Sequence, residues 1–91
     1  VEDVAIDGKE ITITGSSRDT AVITAGTNGT LSIVTTDDAA APANIQITAD
    51  GTFEVDATTI TLDSAGDVAL DAGDGNIKFV NAGTEFARIS P

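Results

Sequence analysis

Acidic side chains are the residues of this chain whose spacing comes closest to a chemical site. The segment Asp71-Ala72-Gly73-Asp74-Gly75-Asn76 groups hard oxygen ligands of the kind that calcium prefers. It matches neither the helix–loop–helix calcium loop nor the glycine-rich nonapeptide repeat of calcium-binding solenoids. Asp is also common at tight corners, where it bonds its own main chain. We therefore assign no metal site and expect these acidic residues to lie at corners. Whether the 71–76 loop binds an ion is left open.

Catalytic chemistry has little support in the residue types present. The chain contains no His, so its serines lack the base of an ordinary triad. The carboxylate pairs Asp63 with Asp67 and Asp71 with Asp74 have the residue type that cleaves glycosides, but corner positions account for them. We expect no enzyme activity, no catalytic residue and no cofactor.

Composition and charge argue against several other classes of function. Fifteen acidic residues stand against four basic ones in 91 residues, a net charge of −11. Nucleic acid binding requires clustered Lys and Arg, so neither nucleic acids nor anionic membranes are expected partners. No apolar run approaches the roughly 18 residues of a membrane helix. Only three aromatic residues and no cysteine are available to a core, so we expect burial against identical neighbours.

Threonine pairs offer a binding alternative. Two Thr-x-Thr pairs would project outward from strands: Thr12 with Thr14, and Thr59 with Thr61. A ladder that binds ice or carbohydrate needs such a pair at every repeat, and Ala69 and Lys78 interrupt it. The high β-propensity of threonine accounts for the pairs.

A short unit repeats along the chain and predicts the elements that carry these side chains. Two apolar residues flank a single residue, as in a strand with one buried face, and a corner containing Gly, Asp or Asn follows. The predicted inward pairs are Ile11/Ile13, Ala21/Ile23, Leu31/Ile33, Ile45/Ile47, Phe53/Val55, Ile60/Leu62, Val68/Leu70 and Ile77/Phe79. Phe53 and Phe79 are expected to fill the widest points of the interior.

Strand and loop boundaries follow from this unit. Strands are predicted at residues 1–7, 10–14, 20–24, 30–35, 44–48, 52–56, three times within 58–80, and at 85–89. The longest gap, residues 36–43, contains Pro42, which cannot donate to a sheet, so this stretch is predicted to be an inserted surface loop and the best place for a partner contact. Phe86 and Ile89 break the period of two, which predicts a bend or a cap near the end.

Strands this short cannot bury their apolar pairs alone, and stacking buries the pairs while satisfying the backbone. One chain could coil around itself, or three identical chains could wind around one axis. Scarce core volume favours three chains, because a self-coiled chain of about three turns would leave two exposed ends. We predict an all-β fold in which residues 1–91 form one repetitive segment of an intertwined homotrimeric, triple-stranded, parallel β-helix. The absence of Met suggests a piece of a longer protein.

Four phrases of the sequence carry a resemblance to a known class: DGKEITITGS (7–16), DTAVITAGTNGTLSIVTTD (19–37), ITLDSAGDVALDAG (60–73) and NAGTEFARI (81–89). They resemble repeats in β-helical tail-fibre and tail-spike proteins of tailed bacteriophages, most closely those of marine and cyanobacterial phages. The resemblance covers most of the chain. It implies a homotrimeric shaft in the virion tail, extracellular after release, that adjoins other tail proteins and holds a host-recognition tip.

The departures from that class narrow the expected function. The eight-residue repeat of the puncturing needle is not matched, because the repeat interval here runs from 7 to 14 residues, which favours a fibre segment. We expect a structural shaft segment of a tail fibre or spike, with the host surface contacted through other segments. The alternative is a β-solenoid segment of a bacterial surface adhesin or an ice-binding protein. An ion on the axis of the assembly is also left open.

Overall fold

The computed structural model describes residues 3–39 and 41–91, and their regular structure is almost entirely β-strand. The elements in order are β1 (Val4–Asp7), β2 (Glu10–Ser16), β3 (Asp19–Ala25), a 3-10 turn (Thr27–Gly29), β4 (Leu31–Thr36), β5 (Ile77–Asn81) and β6 (Thr84–Ile89). The chain divides into two compact units between Phe53 and Glu54. The prediction of an all-β fold is confirmed.

The first unit contains one antiparallel sheet, in which β1, β2, β3 and β4 lie side by side in chain order. We call this sheet the meander. The loop Gly8-Lys9 joins β1 to β2, and Gly8 has φ 58°, as suits the first central position of a type II′ hairpin turn. The loop Ser17-Arg18 joins β2 to β3, with Arg18 at φ 61°. Two-residue loops connect antiparallel neighbours only, so the prediction of parallel stacking is wrong for this sheet.

Cross-strand register places the apolar side chains of the meander on one face. Ile6 pairs with Ile11, Ile11 with Ile23, and Ile23 with Ile33. Directly opposed residues share a face, so these four side chains form a row across all four strands. We call this side the isoleucine face; its other members are Val4, Ile13, Ala21, Ala25, Leu31 and Thr35. The apolar pairs predicted to face inward in the first three repeats therefore do share one face.

Residues 44–71, which we call the unpaired segment, contain no strand. In the described residues, no main-chain hydrogen bond forms within the first unit by residues 44–53, or within the second by residues 54–71. The strands predicted at 44–48 and 52–56 and around the apolar pairs 60/62 and 68/70 are therefore not formed within this chain. The physical reason is that a strand exists only beside another strand. No β-helix forms within the described part of the chain.

The second unit ends in a hairpin of β5 and β6, the C-terminal hairpin. Its two-residue loop is Ala82-Gly83, with φ values of 51° and 83°. Positive φ at both central positions defines the type I′ turn, whose twist matches that of paired strands. The local turn thus sets the register of this hairpin.

A bulge near this turn explains the break in periodicity at the end of the sequence. Phe79 pairs with Ala87 and Val80 pairs with Glu85, so Phe86 is an extra residue in β6. An extra residue shifts the alternation by one and re-aims the following side chains. The rings of Phe79 and Phe86 are 6.4 Å apart between centroids, a distance typical of aromatic pairs. The bend predicted here is therefore a β-bulge.

Apart from the start of β1, the remaining predicted boundaries agree with the structure to within a residue or two. The lead-in strand predicted at 1–7 is β1, which begins at Val4, and Val1 and Glu2 lie outside the described residues. The loop predicted at 36–43 begins at the last residue of β4, and its Ala40 also lies outside them.

Candidate functional site

The most distinctive property of this chain is apolar surface without cover. None of the described residues is fully buried. Eighteen of the large apolar side chains are between 37% and 73% exposed. This uncovered apolar surface is the candidate functional site, and it consists of three areas.

The isoleucine face is the first of these areas. Ile6 is 73% exposed, Leu31 66% and Ile33 54%. A sheet with one apolar face is stable in a domain when a second layer covers that face. Within the described residues of its unit no such layer is present, since all four strands lie in a single sheet.

The second area is the unpaired segment. Its apolar side chains are between 51% and 69% exposed; they are Ile45, Ile47, Phe53, Val55, Ile60, Leu62, Val68 and Leu70. They keep the period-two spacing of strands although no strand is formed. The segment therefore presents an apolar pattern together with free main-chain donors and acceptors, which is the combination that allows pairing with another strand.

The third area is the apolar side of the C-terminal hairpin, where Phe79 is 43% exposed, Phe86 70% and Ile89 61%. A polar pair stiffens the hairpin elsewhere. Arg88 donates to Glu85 from Nε at 2.9 Å and from Nη2 at 2.7 Å. These bonds lower the pKa of Glu85, with a smaller contribution from Lys78. Glu85 thus offsets the positive charge of Arg88 in the hairpin.

Charge is distributed unevenly between these areas. Residues 42–76 contain no Lys or Arg and seven acidic residues: Asp50, Glu54, Asp56, Asp63, Asp67, Asp71 and Asp74. The C-terminal hairpin carries Lys78 and Arg88 against Glu85 alone. Copies of this chain that associate through the unpaired segment would therefore repel one another at low salt.

Asp19 organises the turn between β2 and β3 and the loop after β4. Its carboxylate accepts hydrogen bonds from the hydroxyl of Ser16 and from the main-chain N–H of Asp38, the latter at 2.8 Å. The Asp38 N–H is the largest cause of the lowered pKa of Asp19, and Ser16 is the next. Arg18 pairs with the Asp38 carboxylate at 2.9 Å on the surface. These bonds hold the loop predicted at 36–43 against the meander.

An open pocket of about 210 Å³ lies beside this turn. It is lined by Ile13, Gly15, Asp19, Thr20, Ala21, Thr35, Thr36 and Ala43. Its lining is mostly apolar, and both carboxylate oxygens of Asp19 already accept hydrogen bonds. The pocket therefore offers a small molecule apolar contact without a free charged group.

The segment with calcium-like spacing forms a corner. Asp74 Oδ1 accepts the main-chain N–H of Asn76 at 2.9 Å, and the N–H of Gly75 donates to the carbonyl of Ala72 at 2.8 Å. The bonds from Asn76 lower the pKa of Asp74. Asp74 thus acts as a corner residue that bonds its own main chain. Across residues 3–39 and 41–91, no three acidic side chains are grouped so as to hold a metal ion.

Threonines occupy the side of the meander opposite the isoleucine face. Thr14 pairs with Thr20, and Thr20 with Thr36, so three threonines form a row across three strands. In the neighbouring row on the same side, Thr12 pairs with Val22 and Val22 with Val34, so that row is partly polar and partly apolar. This row was not apparent from sequence spacing, because the antiparallel turns bring together residues from three repeats.

Comparison with known proteins adds no assignment to these surfaces. The chain matches no protein-family model, no curated protein and no solved structure. In the part of the chain that the structure describes, no helix has the length and hydropathy needed to cross a membrane.

Proposed function

We propose that this chain is a structural segment that associates with copies of itself to form part of the shaft of a phage tail fibre or tail spike. The observation that carries the proposal is the lack of any fully buried residue among those described, although many large apolar side chains are present. Apolar surface on this scale stabilises a protein only when something covers it. A second copy of the chain offers a partner with the same repeat spacing.

Scarce core volume favours three copies. Only three aromatic residues are available to a core, and a chain of this length coiled on itself would leave two exposed ends.

The finer form of the proposal is an intertwined, triple-stranded β-helix that acts as a spacer. The resemblance of residues 7–16, 19–37, 60–73 and 81–89 to tail-fibre repeats supports a place in the virion tail, beside other tail proteins and extracellular after release. Such a segment has a structural role only. It keeps a host-recognition tip, carried by other segments, at a fixed distance, without an enzyme activity or a cofactor of its own.

Location in the virion is tested with particles of the phage that encodes the chain. Antibodies against the purified chain, visualised by electron microscopy, are expected to label the tail, and quantitative mass spectrometry should give copies in multiples of three. Label on capsids alone, or on bacterial cells and not on virions, would contradict the proposal.

A surface-binding role is the second candidate, and the row of Thr14, Thr20 and Thr36 favours it. Such a row could contact ice or a sugar polymer, as expected of an ice-binding protein or a bacterial adhesin. The test is ice-growth inhibition by the purified chain and by its Thr20→Leu variant. Inhibition that the variant loses would support this candidate, and no inhibition by either would remove its ice-binding form.

A further inference from the structure

We propose that the unpaired segment, residues 44–71, is the part of the chain that pairs its backbone with second copies, whereas the meander and the C-terminal hairpin form within each chain. This inference rests on the proposed self-association and assigns its two kinds of contact to different residues. The meander needs side-chain cover from a partner. The unpaired segment needs main-chain partners as well.

The paired elements are closed by local turns. Gly8 has φ 58° in the first hairpin of the meander, and Ala82 and Gly83 have φ 51° and 83° in the C-terminal hairpin. These turns bring neighbouring strands into register without a partner chain. Within the meander, β2 and β3 already have a strand on both sides. Only the outer edges of β1 and β4 lack a neighbouring strand in this sheet, and the large apolar area that the meander presents to a partner is its isoleucine face.

The unpaired segment has no such local closure. In the described residues of each unit none of its main-chain groups bonds to another main-chain group. The prolines of the chain, Pro42 and Pro91, lie outside it. Every residue from 44 to 71 therefore has a main-chain N–H that can donate to a neighbouring strand. Its apolar residues keep period two, so strands formed on association would bury one side and expose the other.

The partner that pairs with the unpaired segment is a second copy of this chain. The segment needs a neighbouring strand whose apolar residues have period two, and the segment itself has that pattern. A copy in the same direction places each apolar pair beside an equal pair at the same height. Three of the six acidic residues of the segment directly follow an apolar pair: Asp56 follows Val55, Asp63 follows Leu62 and Asp71 follows Leu70. They would lie at outer corners, where water and salt screen them. Pairing with a basic partner protein would not require the acidic residues to lie at outer corners. Binding of such a protein is one outcome of the test below.

Amide hydrogen exchange of the full chain, read by mass spectrometry, tests the assignment. The chain is compared at concentrations where sedimentation finds it assembled and where dilution has dissociated it. We expect residues 44–71 to exchange at least roughly tenfold more slowly in the assembled state. In the dissociated chain we expect residues 10–36 to exchange more slowly than residues 44–71, because only residues 10–36 have strand partners within the chain. Fast exchange of residues 44–71 in the assembled particle overturns the inference, as does a dissociated chain in which both regions exchange equally fast.

Two variants keep the test decisive if dilution does not dissociate the particle. Ile60→Asp places a charge from each copy at the predicted interior, whereas Thr61→Asp places the same charge on the predicted outer side. We expect Ile60→Asp to abolish assembly and the protection of residues 44–71 while residues 10–36 still exchange more slowly than residues 44–71, and Thr61→Asp to assemble. An assembled Ile60→Asp particle with residues 44–71 protected contradicts the inference.

The outcomes separate this inference from the proposed function. A trimer in which residues 44–71 exchange fast leaves the shaft proposal standing and overturns the segment assignment. A dimer or tetramer in which they are protected supports the assignment and overturns the trimer. A chain that stays monomeric at every concentration, or assembles only when a basic protein is added, overturns both.

Discussion

Gly75 leaves room for the ring of Pro91, since a Cβ added to Gly75 would lie 2.5 Å from Pro91 Cγ. Gly75 also has φ 81°, a left-handed conformation that costs other residues about 1–2 kcal/mol. We expect Gly75→Ala to destabilise the C-terminal hairpin by at least about 1 kcal/mol. Gly73→Ala is the matched control, because a Cβ there meets nothing within 4 Å. Amide exchange of residues 77–89 measures both, and equal effects would contradict the contact.

The turn of the C-terminal hairpin can be improved. Ala82 has φ 51°, whereas Asn-Gly is the preferred dipeptide of a type I′ turn. We expect Ala82→Asn to stabilise the hairpin by about 0.5–1 kcal/mol and Gly83→Ala to destabilise it by about 1–2 kcal/mol. The same exchange measurement reports both. A loss of protection in Ala82→Asn would show that another turn type closes this hairpin.

Asp19 makes the loop after β4 sensitive to acid. The N–H of Asp38 and the hydroxyl of Ser16 hold the pKa of Asp19 below its ordinary value, 3.8. A lowered carboxyl pKa gives stability that is present above the ordinary value and lost as the pH falls through the folded-state value. We expect the amide proton shift of Asp38 to titrate below about pH 4 by NMR.

Two variants check the role of Asp19. Asp19→Asn keeps an acceptor for the Asp38 N–H but cannot titrate, so the pH dependence of the Asp38 amide should disappear. Asp38→Ala removes an ion pair to an Arg18 side chain that is 80% exposed and keeps the main-chain N–H. It should retain the titration and leave assembly intact. A titration that persists in Asp19→Asn would assign it to another carboxylate.

Salt should strengthen the association of copies. The seven acidic residues and no basic residue in residues 42–76 bring only repulsion between neighbouring chains. Raising the salt from about 20 mM to about 500 mM shortens the screening length from roughly 20 Å to roughly 4 Å. We expect the concentration for half-assembly, measured by sedimentation, to fall over this range. Asp63→Asn should reduce the salt dependence, and weaker assembly at high salt would indicate attractive ion pairs instead.

Much of the meander could be predicted from the sequence, because alternation tells which side of a strand is apolar. Ile11, Ile23 and Ile33 were assigned to one face, and they lie on it. Alternation does not tell which backbone lies alongside, so the antiparallel direction was missed. The signal for it was present in the two-residue corners, of which Gly8-Lys9 is one.

The unpaired segment marks the limit of prediction from one chain. Ile60 and Leu62 have the same spacing as Ile11 and Ile13, yet only the second pair lies in a strand. The difference is whether a short turn places a neighbouring strand alongside the pair. The bulge at Phe86 was visible only as a broken period, since a sequence shows that the phase of the alternation changes and not how the backbone absorbs the change.

Sedimentation equilibrium of the purified chain tests the central claim, that its apolar surfaces are covered by copies of itself. The chain mass is 9.1 kDa. The expected result is a particle of three times this mass at micromolar concentration, with sedimentation velocity giving the friction of a rod. A monomer at every concentration and salt would contradict the account.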